Sequence, residues 1–399
     1  MEKRKIFFYI MLMVLLALPA AFCRAQQVMP VAPDNNSTPR FSADVKTPEP
    51  TIVRFNDIAR YIAGMKISAG SGLYSLTKNA IWINYASVTG GTWKHFSATK
   101  IKKITGWAQA EIPDLSRDCR TLFYPFSGPD FLYAHSFFPY ADTYILVGLE
   151  PVGCAPEPEK LQGAKLGPFF KMLDLSISDA LTLSFFRTND MAEEINHKLI
   201  TGTTPVLMLF LARTGNHIAD MRFIDLTDNG TIVYRDAGPG SKGYKHVPRG
   251  VAFAFQGRGD THMRNLIYIS ADISDKGLER RGNVRAFLQH LQPGSITYVK
   301  SASYLMHKNY FSNIRSLILE KSAAVVQDDS AIPYRFFDKD AWDIRLYGTY
   351  SAPIELFKVH LEKDLKEAYA QDSKKLGFRL GYANQSNMLV ARKKTQAQQ

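Results

Sequence analysis

The sequence predicts an α/β protein: a mixed sheet covered by helices, with a helical N-terminal lobe. Three observations lead there. From about residue 116 onward, short β-rich apolar runs alternate with segments of helical period. Runs such as YILVGL are apolar at every position, the pattern of strands buried on both faces of a sheet. Hairpin signals, with Asp228-Asn229-Gly230 the strongest, add antiparallel pairs and make the sheet mixed.

The N-terminus comes first. Lys3, Arg4 and Lys5 precede an uncharged, mostly apolar run from Ile6 to Phe22, and small residues follow. This is the layout of a secretory signal peptide over 1–25, cut after Ala25, and it places the mature protein in the periplasm or outside the cell. Two alternatives stay open: lipidation of Cys23, giving a lipid-anchored protein, or retention of the run as a membrane anchor. Membrane association is expected only in those two cases. The mature chain of 374 residues is long enough for one large domain or two modest ones. Loss of Glu2, Lys3, Arg4, Lys5 and Arg24 lowers the formal charge from +12 to +9. A basic exported chain is drawn to anionic envelope polymers. No nucleic-acid recognition motif accompanies the charge, which argues against that partner.

Residues 26–49 are rich in Pro, Asn, Ser and Thr and read as a flexible tether. The helical lobe follows over 50–115. Ile52, Ile58, Ile62 and Met65 mark a short helix. Trp82, Trp93 and Trp107 return to nearly the same side of a helix, and Gly90-Gly91 predicts a break between two helices. The tryptophan stripe reads as core, and KHFSATKIKK (94–103) as a wet basic face.

The α/β domain occupies 116–399. TLFYPF reads as a strand leading into the helix PDFLYAHSFF, and ADTYILVGLE as a second strand. Residues 178–200 read as helix, and 221–235 as a hairpin. VAFAFQ, NLIYISAD, SITYVK, AAVVQ and WDIRLYGTY are strands, with NVRAFLQHL and FSNIRSLILEKS as helices between them. Residues 352–370 read as an amphipathic helix with Leu356, Val359, Leu361 and Leu365 among its apolar positions, and LGFRLGYANQSNMLVAR as a closing hairpin. Cys119 and Cys154 survive signal cleavage, and an oxidising compartment permits a disulfide between them; the sequence leaves that pairing open.

The segments YPFSGPDFLYA, GLEPVG, KSASYLMH, QDDSAIPYRFF and LYGTYSAPIELF resemble a group of exported bacterial proteins of uncharacterised function. The resemblance covers most of the mature chain and implies no activity.

Two stretches carry candidate chemistry. In Ser127-Gly128-Pro129-Asp130 the residues suit a helix N-cap, with Ser127 accepting the Asp130 N–H, Pro129 in the first turn, and the Asp130 carboxylate reaching back. An anion or substrate site and a serine nucleophile are the alternatives, and the glycine pattern of a nucleophile elbow is missing. The second pattern lies at strand ends. YILVGL is followed by Glu150, LIYIS by Asp272, ITYV by Lys300 and Ser301, and AAVVQ by Asp328 and Asp329. Ligands of open α/β sheets bind outside the carboxyl ends of the strands. Parallel neighbours would therefore gather these groups on one rim with Asp130. Asp130, Glu150, Asp272 and Asp328 are the candidate acid and base groups, since crowded carboxylates separate in pKa. Ser127, Lys300, Ser301 and Asp329 are the candidate ligand-binding groups. No cofactor motif is present, and the scattered histidines lack metal-ligand spacing. DAGPGSKG and QGRGD read as turns, and Ser303 with His307 as too incomplete for a catalytic pair. The expected function is non-catalytic binding of a small ligand, envelope polymer or partner. Hydrolysis of an envelope sugar or ester by a rim carboxylate pair is the alternative, and docking through the tryptophan-bearing lobe a third reading.

Overall fold

The computed structural model describes residues 50–182, 200–235, 249–382 and 385–394. Among them, ten strands form one mixed sheet in the order β4-β3-β5-β6-β2-β1-β7-β8-β10-β9. Its centre is parallel: β1 (Thr121–Pro125) lies between β2 (Thr143–Gly148) and β7 (Ser295–Val299), with β6 (Met263–Ser270) beyond β2 and β8 (Ser322–Gln327) beyond β7. In chain order these five run third, second, first, fourth, fifth. Antiparallel strands extend both flanks: β3 (His217–Leu226), β4 (Ile232–Arg235) and β5 (Gly250–Gln256) on one side, β9 (Trp342–Gly348) and β10 (Asn387–Lys393) on the other. The β3–β4 hairpin turns through Thr227–Thr231, as the Asp-Asn-Gly signal predicts.

Strand alternation divides the core. Leu122, Tyr124, Tyr144, Leu146, Tyr268 and Tyr298 point to one face. There they meet α1 (Pro50–Ile62), α2 (Ala80–Phe96), α3 (Lys102–Glu111), α5 (Phe131–Phe137), α6 (Leu166–Thr182) and α7 (Thr204–Arg213), while α4 (Pro113–Arg117) closes the turn into β1. Phe123, Ile145, Val147, Ile267 and Val325 point to the other face, against α8 (Asp275–Arg280), α9 (Gly282–Gln289), α10 (Ser312–Lys321) and α11 (Lys363–Gln371). Helices on both faces explain why β1, β2 and β7 are buried at every position. The tryptophans are structural. Trp82 stacks on Tyr61 and donates its indole N–H to the Tyr61 carbonyl at 3.0 Å, and Trp107 meets Phe137, Tyr347 and Phe378 edge-on.

Several expectations need correction. The helix runs unbroken through Gly90-Gly91 as α2, and the irregularity falls later, in a π-helical turn over Ser97–Ile101 that joins α2 to α3. Residues 352–370 are not one amphipathic helix: a kinked 3₁₀ stretch over Glu355–His360 precedes α11, and Leu356 and Val359 are 71% and 83% exposed. Of the four apolar positions expected there, only Leu365 is buried. Pairing also departs from the expected closing hairpin, since β10 pairs with β9 and β8. Of the helix expected over 178–200, residues 183–199 lie outside the described residues, as does DAGPGSKG.

Cys119 is a free, buried thiol, so the Cys119–Cys154 disulfide does not form. The reason is topological. Cys119 precedes the start of β1 and Cys154 follows the end of β2, and these strands are parallel. The two residues therefore sit at opposite edges of the sheet, roughly 20 Å apart at about 3.3 Å per strand residue.

The chain leaving β2 crosses the chain entering α7 at backbone contact. The Cys154 and Thr204 N–H groups donate to Thr201 and Val152 carbonyls at 3.1 and 3.0 Å. A Cβ on Gly153 would stand 1.4 Å from the Thr201 oxygen, and φ there is +69°. Gly153→Ala is expected to destabilise the protein by more than about 3 kcal/mol in urea unfolding. A loss under about 1 kcal/mol would mean that the crossing is not tight.

Candidate functional site at the carboxyl edge of the sheet

The five parallel strands deliver their carboxyl ends to one edge, and the chain order reverses between β1 and β7. That is the position at which doubly wound sheets open a ligand crevice. The four non-glycine residues with positive φ among those described all lie in the loops leaving these two strands: Phe126 (59°), Ser301 (51°), Ser303 (52°) and Tyr304 (53°). Left-handed backbone at serine and aromatic residues costs on the order of 1 kcal/mol each, and such strain gathers at functional sites.

Asp130 and Lys300 meet at the reversal, Nζ to Oδ2 at 2.6 Å, with both side chains 1% exposed. Asp130 also accepts the Tyr124 hydroxyl at 2.9 Å and the Tyr133 N–H at 3.1 Å. That last bond corrects the cap: Asp130, not Ser127, is the N-cap of α5. The left-handed Phe126 turns the chain so that the Ser127 hydroxyl donates instead to the Gly128 and Val147 carbonyls. Burial pushes the Asp130 carboxyl above its usual range, against the opposing pull of Lys300.

One strand further, Asp328 Oδ2 accepts the Ser301 N–H at 2.7 Å, and Oδ1 accepts the Ser330 N–H and hydroxyl at 3.0 and 2.5 Å. Burial, then the neighbouring Asp329, raises its pKa to about 7. Burial also raises Asp329, which accepts the Tyr304 hydroxyl and the Asn387 amide. A loop returns over this group. The Tyr382 hydroxyl donates to the Ser301 carbonyl at 2.7 Å and accepts the Ser303 N–H at 3.0 Å. Gly381 lies so close that a Cβ there would stand 2.7 Å from Asp328 Oδ2.

Two buried hydroxyls in this neighbourhood, Tyr298 Oη and Ser301 Oγ, have no hydrogen-bond partner among the described residues. Tyr298 is wholly buried, packs on Tyr124 with ring centroids 4.8 Å apart, and lies within the field of Asp130, Tyr133 and Asp328. Unpaired buried hydroxyls are rare in proteins and mark places where water or a ligand group belongs.

The other rim candidates separate. Glu150 is buried beside Gly128 and within 3.4 Å of the Tyr268 hydroxyl, at the β1–β2 end. Asp272 is half-exposed, caps its own loop by accepting the Ser274 N–H at 2.9 Å, and faces Arg280. The rim thus brings together Asp130, Lys300, Ser301, Asp328 and Asp329, holds Ser127 and Glu150 one strand away, and leaves Asp272 outside. Ser303 bonds Tyr382, while His307 faces Glu362 at 3.8 Å, so that pair does not form. Among the described residues, no group of three metal-ligating side chains occurs.

Sequence reading missed Tyr124, Tyr133, Tyr298, Tyr382 and Lys100. Tyr124 and Tyr298 had a signal, since a buried phenol near the carboxyl end of an apolar strand needs a hydrogen-bond partner close to the sheet edge; Tyr133 on α5 and Tyr382 in a loop had none. Lys100 had none. It sits in the π turn within the segment expected to be a wet face, yet it turns inward while Lys94, Lys102 and Lys103 stay exposed. Turns of this kind recur at functional positions.

No protein-family model matches this chain, and no curated protein matches it. Fold and site define a class on their own: a doubly wound α/β protein with charged and strained groups gathered at its topological switch point.

Proposed function

We propose that this is an exported protein that binds a small polar ligand at the β1–β7 reversal without transforming it. One observation carries the reading: the two unpartnered hydroxyls of Tyr298 and Ser301 stand beside a buried ion pair at the sheet's switch point. Binding is favoured over hydrolysis because the buried carboxylates are already engaged, Asp130 by three donors and Asp328 by three. The Ser127 hydroxyl donates to the Gly128 and Val147 carbonyls, so its proton is not directed at a side-chain base.

Tyr298→Phe tests this. In the free protein it removes an unsatisfied hydroxyl, so stability should be unchanged or higher by about 1 kcal/mol. A ligand found by thermal-shift screening of polar small molecules should bind about tenfold more weakly to the variant, the effect of losing one hydrogen bond. A destabilised variant with undiminished binding would overturn the reading. Export has its own check: the N-terminus of the protein recovered from the envelope should be Gln26, and a chain starting at Met1 would refute the cleavage.

A second reading rests on the Asp328 pKa of about 7, a value suited to proton transfer near neutrality. Loss of activity toward an ester or glycoside panel in a folded Asp328→Asn variant would favour it. A panel with no turnover by the parent protein would remove it.

A further inference from the structure

We propose that Lys100, Arg379 and Lys300 hold an anionic group of the bound ligand, a carboxylate or phosphoryl oxyanion, beside the ring of Tyr133. The inference rests on the binding reading and narrows it to a ligand class. Lys300 Nζ lies 4.4 Å from the centroid of the Tyr133 ring, and Lys100 Nζ lies 5.6 Å from the same centroid. The two ammonium groups therefore stand no more than 10 Å apart. Arg379 comes from the loop that covers Asp328 and lies within the field of Lys100. Lys300 is paired with Asp130, whereas Lys100 and Arg379 have no carboxylate partner among the described residues. Around Lys100 two further cations meet one already paired carboxylate, Asp130; Asp328 and Asp329 lie one strand further and burial pushes both toward their neutral forms, so the balance is positive and an oxyanion relieves it. Consistent with this, burial and the neighbouring Lys300 and Arg379 lower the Lys100 pKa to about 8.

The usual anion cradle of such sheets is closed here. The helix after β1 has only seven residues, and the Asp130 carboxylate occupies its first turn. A phosphate there would face a like charge. The cationic side chains, and not the helix terminus, are what remain to hold an oxyanion.

Lysine methyl groups introduced by ¹³C reductive methylation report the site by NMR. The Lys100 resonance is identified by its loss in Lys100→Met. Inorganic phosphate and acetate are titrated into the purified chain against chloride at matched ionic strength. The Lys100 signal is expected to shift saturably with at least one of the two oxyanions, and which one acts distinguishes phosphoryl from carboxylate ligands. In Arg379→Ala, an exposed position that should fold normally, the half-saturating concentration should rise about fivefold. A shift that chloride reproduces, or one indifferent to Arg379→Ala, would overturn the subsite. A neutral ligand that binds through Tyr298 while the Lys100 signal ignores both oxyanions would remove this inference and leave the binding reading standing.

Discussion

Lys300→Met is expected to destabilise the protein by about 3–5 kcal/mol, because it leaves a buried carboxylate without its counter-ion. Asp130 and Lys300 are each 1% exposed at the side chain, so water cannot replace the lost partner. Tyr124 and the Tyr133 N–H remain as donors to Asp130, but neither carries charge. Protonation of Asp130 is the escape route, and burial already pushes its carboxyl in that direction. The double variant Asp130→Asn/Lys300→Met removes both charges and should recover more than half of the loss. Urea unfolding of the two single variants and the double measures this. A single-variant loss below about 1 kcal/mol would show that the pair is solvated and that the edge is not enclosed as described.

Stability should fall as pH rises from about 6.5 to 8, while between about 4 and 6.5 the raised carboxyls of Asp328 and Glu362 act against His307 and His135, whose pKa values burial lowers. Asp328 ionises near 7 in the folded protein, and Glu362, buried beside Tyr334 and Asp364, near 8. In the unfolded chain both ionise near 4. Between those values the folded state holds protons that the unfolded state has released. A raised carboxyl pKa therefore contributes stability at low pH that is lost as pH climbs through the window. For Asp328 alone the loss is about 4 kcal/mol at most. His307 acts in the opposite sense below about 6.5. Burial lowers its pKa to about 3, so acidification from 6.5 toward 3 protonates the unfolded chain first and costs stability. Asp328→Asn should shift the slope between pH 4 and 7 in the positive direction and leave it unchanged below pH 4. An equal slope in parent and variant would place the titration elsewhere.

Much of the fold was legible because it depends on local rules. The apolar run at 144–148 required burial on both faces, and Asp228-Asn229-Gly230 required a hairpin. The errors fell where tertiary contacts outweighed local preference. Gly90-Gly91 stays helical because α2 is held against its neighbours by Trp82 on Tyr61 and Tyr85 on Phe170, and Leu356, Val359 and Leu361 have helical spacing yet stay exposed. Ser127 is a good cap by type, yet the left-handed Phe126 and the bond from the Ser127 N–H to the Val147 carbonyl move the helix start three residues on.

The sequence by itself determined that charged residues follow apolar strands, since a strand buried on both faces must shed its polar groups at its ends. Only the tertiary structure decided which of them meet. Strand order set β1 beside β7 and paired Asp130 with Lys300, while Asp272, equally well placed in the sequence, turned to its own loop. A π turn aimed Lys100 inward, and parallel strands kept Cys119 and Cys154 at opposite edges. Neighbour order and helix phase arise from packing summed over the whole chain, and no short stretch of residues encodes them.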